Sequence, residues 1–401
     1  MKRKTIEDIQ VAGKRVLVRV DFNVPLDGRQ RITDETRITA ALGTLKELLA
    51  RGASLVLMSH LGRPDGKVAP AMSLKPVAER LAQHLGRPVD LAPDCVGQEV
   101  ERLAAGLQPG QVLMLENLRF HPEEEANDPE FARRFAALGE VYVNDAFGTA
   151  HRAHASTEGV AHHLAVVASG RLMEQEVRYL KDVLQQPRRP LVAILGGAKV
   201  SGKIELIKHL LTKVDSLLIG GGMAYTFFKA LGLEIGNSLL DAKQVETARQ
   251  TLEQAKTRGV EFLLPVDCAV ADRFATDAQT QVVDREQIPP GWQGMDIGPR
   301  TRRLFAERVG AAGAAIWNGP LGVCEMDPFV AGTREVAEAL ARATAERGTL
   351  SIIGGGDTAG AIAQLGLSAK MTHVSTGGGA SLECLSGLVL PGVAVLEAKG
   401  G

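Results

Sequence analysis

Two lysines four residues apart follow a glycine pair in the middle of the chain. Lys199 and Lys203 lie in LVAILGGAKVSGKIELIK, where the run LVAIL leads into Gly196 and Gly197. The run predicts a buried strand, the glycines a tight loop, and the residues after them a helix. Residues four apart are neighbours on an α-helix, and the N-terminal end of a helix favours anions. The stretch therefore predicts a phosphate site with both lysines on one helical face.

The same stretch comes close to a P-loop, a phosphate-binding motif that ends in Gly-Lys-Ser/Thr. Gly197 to Lys203 fits the first seven positions, but Ile204 stands where the motif needs a hydroxyl to hold magnesium. Any metal ligand must therefore lie elsewhere in the chain. The alternative interpretation is that both lysines lie on a solvated helix face.

Polar and cationic side chains end four aliphatic runs in the first half of the chain. The runs are VLVRVDFN, LVLMSHLGR, VLMLENLRF and VYVNDAFGTAHR, and helical patterns separate them. This alternation predicts a parallel sheet, whose ligands bind at the carboxyl ends of the strands. Guanidinium groups match phosphate and carboxylate, so we expect a cationic anion-binding pocket at this edge. The side chains that would collect there are Asp21, Asn23, His60, Arg63, Arg119, His151 and Arg152.

Arg37 lies near a predicted helix start in TDETRI, where Thr33 or Asp34 can act as the cap. The helix dipole disfavours a cation at this position, and a nearby anion would remove the conflict. For each arginine taken singly, the alternative is a surface ion pair. We interpret His121 and His154 as ordinary loop histidines.

Glycine replaces arginine at the strand ends of the second half, as in LLIGGGMAY, WNGPLGVCE, LSIIGGGDT and HVSTGGGAS. Such loops bring backbone N–H groups to the phosphates and rings of a nucleotide. GGGDTA also fits the dinucleotide pattern G-x-G-x-x-A, but the acidic residue expected about 20 positions later is missing. Asp357 in this loop favours a Mg²⁺ between its carboxylate and a polyphosphate, with helix capping as the alternative.

Length and composition indicate a globular α/β protein of two domains, because 401 residues with 45% hydrophobic content can bury two large cores. A net charge of −1 gives no general attraction to nucleic acid or anionic membrane. No signal peptide or membrane-spanning run is present, so we expect a cytoplasmic protein. Four scattered cysteines match neither a zinc pattern nor a disulfide framework and suit a reducing compartment: Cys95, Cys268, Cys324 and Cys384.

Together, these motifs resemble the phosphoglycerate kinase family over essentially the whole chain. The resemblance runs through VRVDFNVPLD, SHLGRPDG, ENLRFHPEEEANDPEFA, VNDAFGTAHRAHAS, LGGAKVSGKI, IGGGMAYTF, MDIGPRT, WNGPLGVCE, GGGDTA and STGGGASLECLSG. Ten separated motifs in order are far more specific than any one of them. The resemblance implies a glycolytic enzyme that transfers a phosphoryl group reversibly between 1,3-bisphosphoglycerate and MgADP, giving 3-phosphoglycerate and MgATP.

The resemblance also implies a role for each site residue. The acid-substrate site falls on Asp21, Asn23, Arg37, His60, Arg63, Arg119 and Arg152. The nucleotide contacts fall on Lys203, Gly220, Gly221, Gly222, Asn318, Glu325, Gly354, Gly355, Gly356, Asp357 and Thr358, with Asp357 toward Mg²⁺. Arg37 and Lys199 would flank the transferring group, which Gly377 and Gly378 would face. Cys324 departs from the family pattern, which usually has an aromatic residue there.

The implied fold is α/β, with two Rossmann-like domains whose parallel sheets are flanked by helices. We expect an acid-substrate domain of residues 1–171 plus 383–401, a long interdomain helix of residues 172–186, and a nucleotide domain of residues 187–382, around a central cleft. The family also implies a monomer that closes around small-molecule substrates, without nucleic-acid or membrane partners. Two alternatives stay open, an NAD-dependent dehydrogenase that uses GGGDTA and a nucleotide-binding regulator without turnover.

Overall fold

The computed structural model describes residues 3–399 and divides the chain into two compact units. The first unit contains the residues up to Arg178 and those from Val389 onward, and the second is Tyr179–Leu388. Both units are α/β, as the sequence predicts. Within residues 3–399, no helix combines the length and the apolar character needed to cross a membrane.

A six-stranded parallel sheet forms the centre of the first unit. Its strands are β1 Arg15–Arg19, β2 Ser54–Met58, β3 Asp90–Leu91, β4 Val112–Met114, β5 Val141–Asn144 and β6 Val167–Ser169, in the order β3-β4-β2-β1-β5-β6. The central strands are nearly continuous apolar runs because helices cover both faces of a parallel sheet. Their carboxyl ends therefore lie along one edge.

Among the described residues, the helices of this unit that precede the unit boundary are α1 Thr36–Ala50, α2 Lys75–Leu85, α3 Gln98–Ala105, α4 Pro122–Glu125, α5 Pro129–Ala136, α6 Val160–His162 and α7 Arg171–Val177. Local sequence sets several of their limits. In α5, Pro129 occupies the first turn and the Asp128 carboxylate accepts a hydrogen bond from the Phe131 N–H at 2.8 Å. In α2, the left-handed Gly86 ends the helix.

The predicted long helix is helical from Arg171 to Gln185, with a π-helical turn at Arg178–Asp182 between α7 and α8 (Val183–Gln185). Of its apolar residues, Met173, Val177, Leu180 and Leu184 are buried, and Leu172 is partly buried. The boundary between the two units falls inside this segment. Its role as a connector, and the predicted domain limits, stay predictions.

The second unit also contains a six-stranded parallel sheet, in the order β15-β14-β13-β7-β8-β9, and an antiparallel sheet in the order β11-β10-β12. The strands are β7 Leu191–Leu195, β8 Ser216–Ile219, β9 Glu261–Leu263, β10 Asp267–Ala271, β11 Thr280–Asp284, β12 Gln293–Ile297, β13 Ala314–Asn318, β14 Leu350–Gly354 and β15 His373–Val374. The helices are α9 Ile204–Leu210, α10 Met223–Ala230, α11 Val245–Arg258, α12 Pro299–Gly310, α13 Ala331–Arg347, α14 Gly356–Gln364 and α15 Gly379–Leu385.

The last helix, α16 Pro391–Lys399, belongs to the first unit. The Gly392 N–H donates to the carbonyl of Ala150 at 2.9 Å, and Glu397 forms an ion pair with Arg3 at 2.9 Å. These contacts attach α16 to the loop of Ala150 and to Arg3, both of which belong to the first unit.

Candidate active site

The loops that follow β1, β2 and β4 meet at Gly62. The Gly62 N–H donates to Asn23 Oδ1 at 2.8 Å, and the Gly62 carbonyl accepts from Arg119 Nη1 at 2.9 Å. Buried Asn117 fixes the loop of Arg119, because its side chain exchanges hydrogen bonds with the backbone of Leu61. The structure therefore brings three of the predicted strand ends together.

The anion beside Arg37 is a carboxylate of the protein itself. Arg37 is the second residue of α1, and its guanidinium forms an ion pair with buried Asp21 at 2.7 Å. The N-cap of α1 is Glu35 and neither of the two predicted caps, although the Asp34 carboxylate accepts from the N–H of Thr36 at 2.8 Å. The conflict between a cation and the helix dipole is thus relieved without a ligand.

His60 is held as a neutral hydrogen-bond donor. Its Nδ1 atom lies 3.2 Å from Arg19 Nη2, and a guanidinium can only donate. Nδ1 is therefore the acceptor, and Nε2 carries the proton. Burial, reinforced by the charges of Arg19, Arg119 and Arg37, holds the pKa of His60 well below its usual value.

A buried charge network lies behind His60, and the sequence reasoning missed it. Arg19 is almost fully buried in β1 and donates from Nε to Ser156 Oγ at 2.7 Å. Fully buried Glu124 accepts from Ser156 Oγ at 2.5 Å and from the Ser156 N–H at 2.9 Å. Burial raises the pKa of Glu124, while Arg19 and the bonds from Ser156 lower it. The signal that could have revealed this network is the charge of Arg19 inside an aliphatic run.

His154 is part of this cluster and not merely a loop residue. It is buried, and its Nδ1 atom makes no hydrogen bond among the described residues and lies 3.9 Å from Glu124 Oε1. Burial, with the charges of Arg19 and other neighbouring cations, lowers its pKa to about 4. Since His60 is neutral too, the cationic character of this edge comes from its arginines.

Arg63 and Arg152 differ from the other arginines of this edge. Both are exposed, and within residues 3–399 neither guanidinium has a hydrogen bond or an ion pair. Arg119, in contrast, is largely shielded and lies 3.2 Å from Glu125, and burial lowers its pKa. Two unpaired guanidinium groups are therefore available to a ligand.

Four loops at the carboxyl edge of the second sheet bond to one another. The N–H groups of Gly196 and Gly197 donate to the carbonyls of Asn318 and Pro320 at 3.0 and 2.9 Å. A Cβ atom at Gly196 would lie 1.9 Å from the Pro320 oxygen, so the close approach requires glycine. In the third and fourth loops, the Gly221 N–H donates to the Leu321 carbonyl at 2.9 Å, and the Gly319 N–H donates to Thr358 Oγ1 at 2.6 Å.

Lys203 reaches into this group of loops. Its ammonium donates to the backbone carbonyl of Asn318 at 2.8 Å and also to the Asn318 side chain. Burial lowers the pKa of Lys203 to about 8, and the Asp357 carboxylate opposes that decrease. The site thus holds a cation that is only partly compensated by protein groups, which suits an anionic ligand.

The predicted helical face shared by both lysines is wrong. The α-helix begins at Ile204, one turn of 3₁₀-helix spans Ser201–Lys203, and Lys199 lies in the preceding loop with its side chain exposed. The hydrogen bonds that fix Gly197 to the neighbouring loops keep this segment out of a helix. The two amines therefore belong to a loop and a helix cap.

The remaining predicted nucleotide residues lie at the same edge. Asp357 is exposed in the first turn of α14, which follows Gly354 and the left-handed Gly355, and Gly356 is the first residue of this helix. Gly220 and Gly222 pack against Leu321 and Ala198, so packing inside the protein also requires their small size. Glu325 is exposed after Cys324, whose thiol donates to Thr333 Oγ1 at 3.2 Å.

Gly377 and Gly378 precede α15. The Gly377 N–H donates to Ser375 Oγ at 3.1 Å, and Gly378 has a φ of 51°. Ser375 is in turn bonded to Ser381 at 2.5 Å. The serine pair fixes the loop in which both glycines lie.

The fold and the site define the class of protein as a two-unit parallel α/β protein whose cationic and glycine-rich strand ends suit phosphate-bearing ligands. The family model that describes phosphoglycerate kinase matches residues 6–388. The chain belongs to the phosphoglycerate kinase family.

Similar proteins support this assignment over the full length. The phosphoglycerate kinases of Chloroherpeton thalassium and Chlorobaculum tepidum are each 57% identical to the chain and match 99% of it and 100% of their own length. The solved phosphoglycerate kinase structure from Coxiella burnetii superposes with a TM-score of 0.91 at 39% identity, with 100% of both chains covered. The structure from Pyrococcus horikoshii OT3 gives a TM-score of 0.80 at 31% identity, with 99% of both chains covered. The family assignment does not favour the dehydrogenase or the regulator.

Proposed function

We propose that the chain catalyses reversible phosphoryl transfer between 1,3-bisphosphoglycerate and MgADP, giving 3-phosphoglycerate and MgATP. The observation that carries the proposal is a division of chemistry between the two units. Arginines collect at the strand ends of the first unit, and glycine loops surround Lys203 at the strand ends of the second. Relatives that are 57% identical are named for this enzyme.

In this proposal the first unit binds the acid substrate. The unpaired guanidinium groups of Arg63 and Arg152, with Arg119, bind the phosphate that does not react, since guanidinium forks match phosphate oxygens. His60 offers its Nε2–H as a donor. Asp21 and Asn23, which are held by Arg37 and Gly62, complete the polar lining.

The second unit binds the nucleotide. Lys203, Asn318 and the loop of Gly354, Gly355, Gly356 and Thr358 contact the phosphates, Gly220, Gly221 and Gly222 lie beside the adenine, and Glu325 binds the ribose. The exposed Asp357 carboxylate supplies the oxygen ligand that Mg²⁺ prefers, so the residues present fit this ion. When bound, Mg²⁺ supplies charge neutralisation at the phosphates.

The transfer itself needs positioning and charge stabilisation. The attacking carboxylate is already ionised at pH 7, so no general base is required. Arg37, exposed Lys199 and the backbone N–H groups at Gly377 and Gly378 stabilise charge on the phosphoryl group during in-line transfer. Closure of the two units around both substrates excludes water from the acyl phosphate.

We also propose that the enzyme acts as a monomer in the cytoplasm. None of the four cysteines takes part in a disulfide, and three of them are buried, which suits a reducing compartment. Sedimentation velocity of the purified protein tests the monomer, and a mass of two chains would contradict it.

A coupled assay with 3-phosphoglycerate and MgATP tests the activity directly. Arg119→Ala should weaken 3-phosphoglycerate binding by about 1.5–3 kcal/mol and leave ADP affinity unchanged, because only the acid loses a charged contact. The matched control is Arg102→Ala, an exposed arginine of the same unit. Absence of turnover in the wild-type protein would contradict the proposal. So would calorimetry in which Arg119→Ala binds 3-phosphoglycerate and ADP more weakly by the same amount.

A further inference from the structure

A cluster of three different ligand types includes none of the candidate substrate and nucleotide residues described above. Asp94, Cys95 and His121 each place a potential ligand atom within 4.8 Å of the other two. Asp94 and Cys95 follow β3, and His121 immediately follows the Leu118–Phe120 turn. The sequence could not reveal the cluster, because the histidine comes from a different strand end and no regular ligand spacing results.

The fold holds these groups in place before any ligand binds. Asp94 Oδ1 accepts from the Cys95 N–H at 2.6 Å and lies 2.7 Å from His121 Nε2. The His121 ring packs on Phe131, with ring centres 5.3 Å apart. Cys95 is buried at the base, whereas the side chains of Asp94 and His121 are 44% and 27% exposed, so an ion can enter from solvent.

The donor set selects a borderline transition metal. Imidazole nitrogen, thiolate sulfur and carboxylate oxygen together suit Zn²⁺, whereas Mg²⁺ and Ca²⁺ prefer oxygen ligands alone. Tetrahedral Zn²⁺ bonds of about 2.0–2.3 Å place ligand atoms roughly 3.3–3.8 Å apart. On binding, the 2.7 Å distance between Asp94 Oδ1 and His121 Nε2 would increase by about an ångström. The longest distance between ligand atoms of the three residues, which is at most 4.8 Å, would decrease by a similar amount. Side-chain rotation allows both changes.

We propose that Asp94, Cys95 and His121 form a Zn²⁺ site, with water as the fourth ligand. Binding replaces the Asp94–His121 hydrogen bond by two metal bonds. The proton on His121 Nε2 leaves for solvent, so that Nε2 binds the ion while Nδ1 carries the N–H of the neutral imidazole, and the Cys95 S–H bond breaks with release of its proton to solvent. No oxidant or reductant is needed. The site shares no residue with the proposed substrate or nucleotide sites, so it stands independently of the proposed function.

The test is a titration of the full-length, reduced protein with CoCl₂, without nucleotide or acid substrate. Co²⁺ replaces Zn²⁺ in tetrahedral sites, and a Co²⁺–thiolate bond gives a near-ultraviolet charge-transfer band. We expect a saturable band at one ion per chain that equimolar ZnCl₂ abolishes. Cys95→Ser should remove the band, and His121→Gln should weaken Co²⁺ binding at least about tenfold.

Two matched controls test whether the loss of any histidine–carboxylate pair, or of any buried thiol, has the same effect on the band. His84→Gln alters another histidine–carboxylate pair of the first unit, in which His84 lies 2.9 Å from Glu35, and Cys268→Ser alters a buried thiol of the second unit. Both should keep the band and its affinity. His121 is only partly buried, so its variant remains informative if Cys95→Ser fails to fold. No band in the wild-type protein, a band that survives His121→Gln, or one lost in either control would overturn the site.

Discussion

Proton uptake on nucleotide binding is the most direct consequence of the environment of Lys203. Its pKa lies at about 8, against an ordinary 10.5, because the ammonium is buried among the loops that follow β7 and β13. Phosphate groups that contact this ammonium should raise its pKa, since an opposite charge favours the ionised form. Lys203 should therefore take up a proton when ADP binds.

The size of the effect follows from the pKa of the free protein. At pH 8 about half of the Lys203 side chains are neutral, so binding should take up roughly half a proton per nucleotide, against about one tenth at pH 7. The same group also affects stability. Between pH 8 and 10.5 the unfolded chain binds more protons at Lys203 than the folded chain does. The free energy of unfolding should therefore rise by about 3 kcal/mol as the pH rises across that window, and this gain is absent below pH 8.

Titration calorimetry with MgADP at pH 8, in buffers with different ionisation enthalpies, measures the uptake. Nucleotide phosphates have second pKa values of about 6, so they are already deprotonated and do not contribute. Lys203→Met should abolish the buffer dependence. The control is Lys208→Met, an exposed lysine of α9 paired with Glu205 at 3.0 Å, which should keep it.

Equal binding enthalpies in all buffers at pH 8 would refute this reasoning. Such a result would mean that Lys203 is fully protonated in the free protein or does not approach the phosphates. A denaturation series from pH 8 to 10 separates the two cases, because only the first removes the rise in stability.

The remaining predictions concern catalysis, the buried network and motion. Lys199→Ala should lower kcat by about 10²–10³ with little change in nucleotide Kd, because it removes a charge stabiliser from the transition state, and a near-normal kcat would remove Lys199 from the mechanism. Glu124→Gln should lower the free energy of unfolding by about 3–5 kcal/mol in urea titrations, since it removes the buried charge that Ser156 links to Arg19, and a loss below about 1 kcal/mol would contradict this. Small-angle scattering should show a clear decrease in the radius of gyration only when 3-phosphoglycerate and a Mg-nucleotide are both present, because each ligand alone supplies only part of the binding energy that favours the closed form over the open form. Identical scattering from the free protein, the two binary complexes and the ternary complex would exclude closure.

Most of the architecture could be predicted from pattern alone. Doubly covered parallel strands such as LVAIL and SLVLM are apolar throughout, and their spacing by helices leaves few other folds. The start of α9 could not be predicted, because the four-residue spacing of Lys199 and Lys203 carries only local information. Hydrogen bonds between Gly197 and residues far along the chain instead keep the segment in a loop until the 3₁₀ turn begins at Ser201.

The edge of the sheet at which the candidate site residues lie could be predicted, but the charge state and the pairing of each group could not. Arg63, Arg119 and Arg152 all follow strands, so parallel topology alone places them at one edge. The availability of each guanidinium for a ligand depends on contacts in the folded chain. These contacts pair Arg119 with Glu125 and, among residues 3–399, leave Arg63 and Arg152 unpaired. The neutral state of His60 likewise depends on its contact with Arg19, which ends β1, whereas His60 follows the neighbouring strand β2.

The presence of a buried anion near Arg19 could be predicted from the sequence, but the identity of that anion could not. A guanidinium in a strand covered on both faces is costly unless an opposing charge is buried with it, so the sequence VLVRV already requires a buried anion. The sequence does not identify that anion, because Glu124 lies in a run of three glutamates that are locally equivalent. Only the packing of α4 against the segment Ala155–Gly159 turns Glu124 inward, where Ser156 links it to Arg19. The same link places the Arg19 guanidinium against His60, so the buried pair that satisfies the core also sets the tautomer of a predicted substrate residue.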